Sequence, residues 1–86
     1  MPYNVVISDT ADDDLAAMPP ASRRQVLRAI CERLAIAPLL FGKPLRHSLR
    51  GLRSLRVGDY RVGYMVDGES VVIAHIDLRR DAYKGW

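Results

Sequence analysis

Three short segments of alternating apolar and polar residues occupy the second half of the chain. They are Leu52 to Val57, Tyr60 to Val66 and Val71 to Asp77, and their period of two residues predicts β-strands. Gly58-Asp59 separates the first pair of segments and Asp67-Gly68 separates the second pair, and both dipeptides suit tight hairpin turns. The pattern therefore predicts an antiparallel meander of three strands.

The first half of the chain begins with a strand-like segment and continues with helical features. Tyr3 to Ile7 is short and β-branched, which predicts a first strand. Thr10 is a suitable N-cap for a first helix, whose first turn holds the carboxylates of residues 12–14, near the positive end of the helix dipole. Pro19-Pro20 ends this helix and begins the next one.

A second helix is predicted from about Ala21 to Ile36, where apolar residues recur at helical spacing. The apolar stripe consists of Val26, Leu27, Ile30, Cys31 and Leu34. Because Cys31 belongs to this stripe, we expect a buried structural thiol rather than a nucleophile. The two helices form a hairpin that must bury its apolar side against the sheet.

The order of these elements defines the fold class. The order β-α-α-β-β-β predicts an α+β fold in which a helical hairpin packs on a small antiparallel sheet. The chain has 86 residues, which is enough for one small domain over residues 1–86.

The hairpin around Gly58-Asp59 has a consequence for charge. If these two residues form the loop, Val57 pairs with Tyr60, and Arg56 lies directly opposite Arg61 on the same face of the sheet. Like charges in that position destabilise a strand pair, whereas a bound anion reverses the sign of the interaction. The register therefore favours an anion at this pair of arginines.

Alternation along the three strands divides their residues between two faces. The face under the helices is predicted to hold Leu55, Val57, Tyr60, Val62, Tyr64, Val66, Val71 and Ile73. The other face is predicted to hold Ser54, Arg56, Arg61, Gly63, Met65, Val72, Ala74 and Ile76. The same alternation places His75 on the core face, which indicates a structural histidine. The second face is then basic at one end with a small or apolar floor, which suits a nucleic acid strand or an amphipathic segment of a partner protein.

Composition narrows the class of protein. Hydrophobic residues make up 49% of the chain and charged residues 27%, which is typical of a folded globular protein rather than a disordered one. The single cysteine excludes an internal disulfide and fits a reducing cytoplasm, so we expect a cytoplasmic protein. We expect no membrane span and no signal peptide, because the apolar stretches are short and the first residues lack a basic flank.

The net charge of +3 is concentrated in one part of the chain. Residues 1–42 carry four arginines against five acidic residues. Residues 43–61 carry Asp59 against the basic residues Lys43, Arg46, Arg50, Arg53, Arg56 and Arg61. Concentrated positive charge indicates a polyanion or an acidic protein as partner, and a solvated basic face is the alternative.

The C-terminal segment adds Arg79, Arg80, Tyr83, Lys84 and Trp86. Arginine with tyrosine suits single-stranded RNA, because guanidinium groups hold phosphates and the phenol stacks on a base or handles a proton. A basic tail whose aromatic residue anchors the terminus to the core explains this segment equally well.

Several motifs resemble those of the RelE branch of the RelE/ParE toxin superfamily. They are Ala-x-x-Asp-Leu at Ala11 to Leu15, Gly42-Lys43-Pro44-Leu45, Leu49-Arg50-Gly51-Leu52, the string from Leu55 to Val62, and Arg79-Arg80-Asp81-Ala82-Tyr83. Together they cover almost the whole chain. The resemblance implies a microbial toxin of a type II toxin–antitoxin pair that enters the ribosomal A site and cuts messenger RNA there.

The resemblance also implies the site residues and the partners. It assigns the catalytic site to Arg56, Arg61, Arg79 and Tyr83. The other basic residues expected to bind RNA are Lys43, Arg46, Arg50, Arg53 and Arg80. The implied reaction is attack of a ribose 2′-hydroxyl on the adjacent phosphate, with no metal ion or cofactor, and the implied partners are a cognate antitoxin, the ribosome and messenger RNA.

Two other functions stay open. A ParE-like toxin would bind DNA gyrase and cut nothing. A catalytically weak homologue would mainly bind its antitoxin, which is suggested by Ser54 in place of a second basic residue and by Leu78 in place of a histidine. Strict alternation also places Arg79 on the core face, so the last strand must end, bend or bulge after Asp77 for Arg79 to reach the site.

Overall fold

The computed structural model describes residues 2–46, 48 and 51–78. In chain order the elements are β1 (Asn4–Ile7), α1 (Asp9–Ala16), α2 (Pro20–Ala29) with a π-helical extension (Ile30–Leu34), α3 (Pro38–Phe41), β2 (Lys43–Pro44), β3 (Arg53–Val57), β4 (Tyr60–Asp67) and β5 (Ser70–Leu78). The α+β class is confirmed, and the helices pack on one face of the sheet.

The five strands form one sheet in the order β1-β5-β4-β3-β2. The predicted meander of β3, β4 and β5 is antiparallel, as expected. The prediction of a wholly antiparallel sheet is wrong, because β1 pairs with β5 in parallel. Parallel neighbours require a long crossover connection, and the helices and the other strands between β1 and β5 supply it.

Both hairpins of the meander have a two-residue loop that begins with glycine. Val57 pairs with Tyr60 around Gly58-Asp59, so the predicted register of this hairpin is confirmed. In the second hairpin Asp67 pairs with Ser70, which places the loop at residues 68–69, one position later than predicted. Gly58 and Gly68 have φ angles of 57° and 59°, a region that favours glycine and that tight hairpin turns require.

The N-cap of α1 is Ser8 rather than the predicted Thr10. The Ser8 hydroxyl accepts a hydrogen bond from the backbone N–H of Ala11 at 3.1 Å and donates one to the carbonyl oxygen of Ala74 at 2.7 Å. This side chain therefore caps the helix and also fixes the helix to β5.

The second predicted helix is present but divides into α2 and the π-helical extension. The N–H of Ala35 bonds the carbonyl of Ile30 at 2.9 Å, which is a five-residue step. Val26, Ile30 and Leu34 form the buried stripe, whereas Cys31 is exposed. The prediction of a buried Cys31 is wrong because the buried face of this helix consists of Val26, Ala29, Ile30 and Leu34, and Cys31 lies outside it.

The core lies between the helices and one face of the sheet. The helical contribution is Ala11, Leu15, Met18, Val26, Ala29, Ile30 and Leu34. The sheet contributes Leu55, Val57, Val62, Tyr64, Val71, Ile73 and Ile76. None of the helices in the described residues is long and apolar enough to span a bilayer.

A bulge at Ala74 changes the face assignment of the last strand. Gly63 pairs with His75 while Tyr64 pairs with Ile73, so Ala74 has no partner on β4. After this extra residue the alternation is reversed, and Ile76, which pairs with Val62, is 3% exposed in the core. The predictions that Ile76 lies on the open face and His75 on the core face are therefore wrong.

Contacts with α1 explain why the strand bulges at this position. The carbonyl of Ala74 accepts from the Ser8 hydroxyl, and the N–H of Ile76 donates to Oδ2 of Asp14 at 2.8 Å. These bonds occupy the edge of β5 just beyond Ile7, where β1 has ended. The irregularity of the last strand was predicted after Asp77, whereas the bulge lies before Asp77, at Ala74.

Candidate functional site

A row of charged side chains crosses the open face of the sheet, the face opposite the helices. Arg56 on β3 pairs with Arg61 on β4, and Arg61 pairs with Asp77 on β5. Directly paired residues project from the same face with Cβ atoms about 4.5–5.5 Å apart. The predicted juxtaposition of the two arginines is confirmed, with Arg56 exposed and Arg61 half-buried.

Asp77 is a charged residue of this row that sequence reasoning missed. Its carboxylate oxygen Oδ2 lies 2.8 Å from Nδ1 of His75, so these two side chains are joined on the same face. A negative charge beside Arg61 offsets part of the repulsion between the two arginines. The signal in the sequence was the spacing of Ile73 and Ile76, since two core residues three positions apart in one strand require a bulge.

A second row lies beside the first one. Lys43 on β2 pairs with Ser54, Ser54 pairs with Gly63, and Gly63 pairs with His75. Lys43 therefore lies on the open face, which also holds the two arginines. Lys43 pairs with Ser54, so it supplies a positive charge next to the position where this chain has Ser54 in place of a second basic residue.

The floor of the open face is apolar toward the second hairpin. Met65 pairs with Val72, and Val72 pairs with Val6 of β1. Val6 is 48% exposed, and Met65 and Val72 are half-buried. The apolar floor is therefore built from these residues, without Ile76.

Arg53 lies on the other face of the sheet, away from this site. It pairs with Tyr64, and its guanidinium donates to the carbonyl oxygens of Leu39 at 3.1 Å and Gly42 at 2.9 Å. The buried Tyr64 hydroxyl donates to the carbonyl of Pro38 at 2.6 Å. Arg53 is thus part of the packing that fixes the segment between α3 and β2.

Gly42 is required by this packing. A Cβ atom at residue 42 would overlap the hydroxyl and ring of Tyr64. The glycine of the Gly-Lys-Pro-Leu motif therefore allows the chain to pass directly over the tyrosine, and this brings Lys43 to the edge of the sheet.

Of the remaining predicted site residues, the described part of the chain includes Arg46 alone. Arg46 is exposed in the turn after β2. Four predicted site residues lie outside the described residues: Arg50, Arg79, Arg80 and Tyr83.

A shallow depression continues the basic surface around the Gly58 turn. It has a volume of about 160 Å³ and is lined by Arg28 and Arg33 of the second helix, by Arg56, and by Glu32 among others. Arg56 therefore lies on the open face of the sheet and also lines this depression beside the second helix. It connects the arginines of the open face with Arg28 and Arg33 of the second helix.

Comparison with known proteins agrees with this fold along the whole chain. The family described as "ParE toxin of type II toxin-antitoxin system, parDE" matches residues 5–83. The chain is 42% identical to "Toxin RelG" of Mycobacterium tuberculosis, over 98% of this chain and 99% of that protein. It is 41% identical to "Toxin RelE" of the same organism, over 96% of this chain and 88% of that protein.

A solved structure shows the same architecture. The crystal structure of the toxin–antitoxin complex RelBE2 from Mycobacterium tuberculosis contains a chain that is 41% identical, with a TM-score of 0.85. The similarity covers 94% of this chain and 95% of that chain. Because the sequence match is nearly full length and the fold is shared, the chain is a type II toxin–antitoxin toxin and belongs to the RelE branch of the RelE/ParE superfamily.

Proposed function

We propose that this toxin is a ribosome-dependent endoribonuclease that cuts messenger RNA in the ribosomal A site. The observation that carries the proposal is the pairing of Arg56 with Arg61 on the sheet face opposite the helices. Two guanidinium groups paired across neighbouring strands repel each other, Asp77 offsets part of this repulsion, and a phosphate between the two groups would convert the rest into binding. Lys43 on the same face adds a third positive charge within reach of an RNA backbone.

The proposed reaction is attack of a ribose 2′-hydroxyl on the neighbouring phosphorus. The O2′–phosphorus bond forms and the phosphorus–O5′ bond breaks, leaving a 2′,3′-cyclic phosphate and a 5′-hydroxyl. Negative charge accumulates on the phosphorane oxygens, where preorganised cations stabilise it. In this proposal Arg61 and Arg79 provide that stabilisation, Arg56 assists, and Tyr83 handles a proton; no metal ion or other cofactor takes part.

The other basic residues would hold the RNA strand and carry no chemistry. These proposed RNA contacts are Lys43, Arg46, Arg50, Arg53 and Arg80. Of the described ones, Lys43 on the open face and exposed Arg46 meet that role most directly, whereas Arg53 lies on the opposite face.

Cleavage of message on programmed ribosomes tests the proposal. The purified chain should cut ribosome-bound RNA at defined positions, and Arg61→Ala should lower the rate by about 10²–10³-fold, as expected for losing one charge-stabilising donor. Arg61→Lys is the matched control, since it keeps the charge but loses the planar fork, and it should lie between the two. Equal rates for Arg61→Ala and the wild type would remove Arg61 from the site.

The same assay separates the alternative functions. Loss of DNA supercoiling by gyrase in the presence of the chain, without RNA cleavage, would identify a ParE-like gyrase inhibitor, which is the alternative that the matched family description favours. Antitoxin binding without either activity would identify a catalytically weak homologue.

The proposed partner that restrains the toxin is an antitoxin with an acidic, amphipathic segment. A relative was solved in complex with its antitoxin, and here the basic surface continues from the open face to Arg28 and Arg33. A segment that folds on binding would pair carboxylates with these arginines and cover the apolar floor around Met65 and Val72.

The position of the antitoxin has its own test. If it occupies the RNA site, Arg56→Ala with Arg61→Ala should weaken the complex and reduce its sensitivity to salt. If it only adds bulk that excludes the toxin from the ribosome, the double substitution should leave the affinity nearly unchanged while cleavage is lost.

A further inference from the structure

We infer that His75 and Asp77 form the proton-transfer pair of the open face, with Nε2 of His75 taking the proton from the attacking ribose 2′-hydroxyl. The inference rests on the proposed RNA cleavage and names a group for a step that the arginines cannot perform. Arginine is effectively always protonated, so neither Arg56 nor Arg61 can act as the base.

A hydrogen bond between the side chains of His75 and Asp77 orients the imidazole. Nδ1 of His75 lies 2.8 Å from Oδ2 of Asp77, and an ionised carboxylate only accepts hydrogen bonds. In the inferred arrangement Nδ1 donates to this carboxylate, and Nε2 is the nitrogen that exchanges a proton with the RNA. The carboxylate also stabilises the imidazolium that forms when Nε2 takes a proton, which is how a carboxylate supports a catalytic histidine in other enzymes.

His75 and Asp77 lie close to Arg61 in the ladder of strand pairs. Asp77 lies directly opposite Arg61, and His75 lies opposite Gly63, in the row beside the arginines. His75 is therefore a diagonal neighbour of Arg61, and diagonal neighbours in an antiparallel sheet have backbones about 7–8 Å apart. At this distance the imidazole can reach the ribose next to a phosphate that Arg61 binds. The side chain opposite His75 is only a hydrogen atom, so Gly63 does not separate the imidazole from that phosphate.

The side chains of both residues are partly exposed to solvent. The side chain of His75 is 25% exposed and that of Asp77 is 36% exposed, so both reach the surface while part of each is held by the sheet. A histidine buried in the core could not exchange a proton with RNA, and the bulge at Ala74 is what turns this residue outward. Ser8 and Asp14 of the α1 region hold the strand on both sides of His75, which limits its freedom of position.

The charged groups around His75 are compatible with this role. Asp77 lies on the same strand, Arg61 on β4 and Arg56 on β3, and Asp14 binds the backbone of Ile76 from the helical side. In its own row Gly63 and Ser54 are neutral, and the positively charged Lys43 lies at the far end, on β2. β1 carries no ionisable side chain. Histidine is the side chain whose charge ordinarily changes between pH 5 and 8, which suits proton transfer in a cell.

The 2′-hydroxyl proton moves to Nε2 as the O2′–phosphorus bond forms, and the electron pair of the broken phosphorus–O5′ bond stays on O5′. O5′ takes a proton from a water molecule, and the hydroxide that remains removes the proton from the imidazolium. The imidazole and the water are both restored.

Single-turnover cleavage of ribosome-bound message across pH 5.5–8.5 tests the inference, with the full-length toxin throughout. His75→Asn keeps an N–H that can donate to Asp77 but lacks Nε2. It should lower the rate near pH 7.5 by about 10²–10⁴-fold, the usual contribution of a general base, with unchanged affinity for the ribosome. The wild-type rate should rise with pH as the base loses its proton, and this rise should be absent in His75→Asn.

Three further measurements keep the result interpretable. Ser70→Ala, on the same strand and face but at the far end, should retain the wild-type rate. Added imidazole should restore part of the activity of His75→Asn, which a merely structural loss would not permit. Thermal melting checks that the variant is folded, and His75→Gln replaces it if it is not.

The outcomes separate the inference from the function on which it rests. Wild-type cleavage with an unchanged rate in His75→Asn would overturn the inference and leave the proposed function standing. A reduced rate with an unchanged pH profile would also overturn it, because His75 would then only position other groups. A wild-type chain that does not cut would overturn both, and an unchanged rate in Asp77→Asn would overturn the role of Asp77.

Discussion

Arg53 and Arg61 lie on adjacent strands of one sheet, yet they have different surroundings. Arg53 faces the helices, where its guanidinium bonds the carbonyls of Leu39 and Gly42. Arg61 faces the open side, between Arg56 and Asp77. Successive residues of a strand point to opposite faces of the sheet. The face on which a basic residue lies therefore decides whether it stabilises the fold or is placed to bind a ligand.

The two faces also differ in how their charges are satisfied. On the covered face, neutral carbonyl oxygens and a tyrosine hydroxyl surround the one guanidinium described there. On the open face, two cations and a carboxylate are neighbours, because Arg61 lies between Arg56 and Asp77 in the ladder. We therefore expect substitutions on the covered face to change stability and those on the open face to change activity.

The largest effect on stability is expected for Ile76, which the bulge turns into the core. Ile76→Ala should lower the free energy of unfolding by about 2–5 kcal/mol, because it removes a fully packed side chain. Val72→Ala is the matched control on the same strand and the open face, and urea titration should show a clearly smaller loss. Equal losses would mean that the two faces of β5 are not distinguished in this way.

Tyr64→Phe tests the polar packing of the covered face. It removes the hydroxyl that donates to Pro38, leaves that buried carbonyl unsatisfied, and should cost about 1–3 kcal/mol in urea unfolding. Tyr60→Phe, at the less buried tyrosine, serves as control and should change stability little. Activity on ribosomes should be retained in both variants, and a selective loss in Tyr64→Phe would contradict the separation of the two faces.

Ser8→Ala tests the link between α1 and the bulge. Loss of an N-cap costs about 0.5–2 kcal/mol, and here the bond to Ala74 is lost with it. Thr10→Ala, at the position that the sequence favoured as the cap, should have a smaller effect on the melting temperature. A larger effect for Thr10→Ala would contradict the observed cap.

The smallest expected effect compares the two arginines of β3. Arg53→Gln should lower the free energy of unfolding by about 0.5–1.5 kcal/mol because its backbone hydrogen bonds are lost. Arg56→Gln should change stability by less than about 0.5 kcal/mol, since Arg56 is exposed, but should weaken ribosome binding. If Arg53→Gln instead weakened ribosome binding at unchanged stability, the predicted RNA-binding role of Arg53 would hold.

The first hairpin shows which parts of the site can be predicted from local sequence. The loop Gly58-Asp59 sets the pairing of Val57 with Tyr60, and the pairing of Arg56 with Arg61 follows one step later. A two-residue loop and a period of two are properties of neighbouring residues, so no distant contact is needed to determine this register. The position of Lys43 on the same face could not be reached in this way, because the two-residue strand β2 carries too short a pattern.

The sequence by itself thus determined the α+β class, the meander, the paired arginines and the family resemblance. Only the tertiary structure decided the parallel pairing of β1, the bulge at Ala74, and the outward position of His75 and Asp77. The physical reason is distance along the chain. The hydrogen bonds that hold the bulge join Ser8 to Ala74 and Asp14 to Ile76, which are 66 and 62 residues apart in the chain. The alternation of faces along β5 therefore changes where α1 contacts the strand, and the local sequence pattern of β5 does not contain that contact.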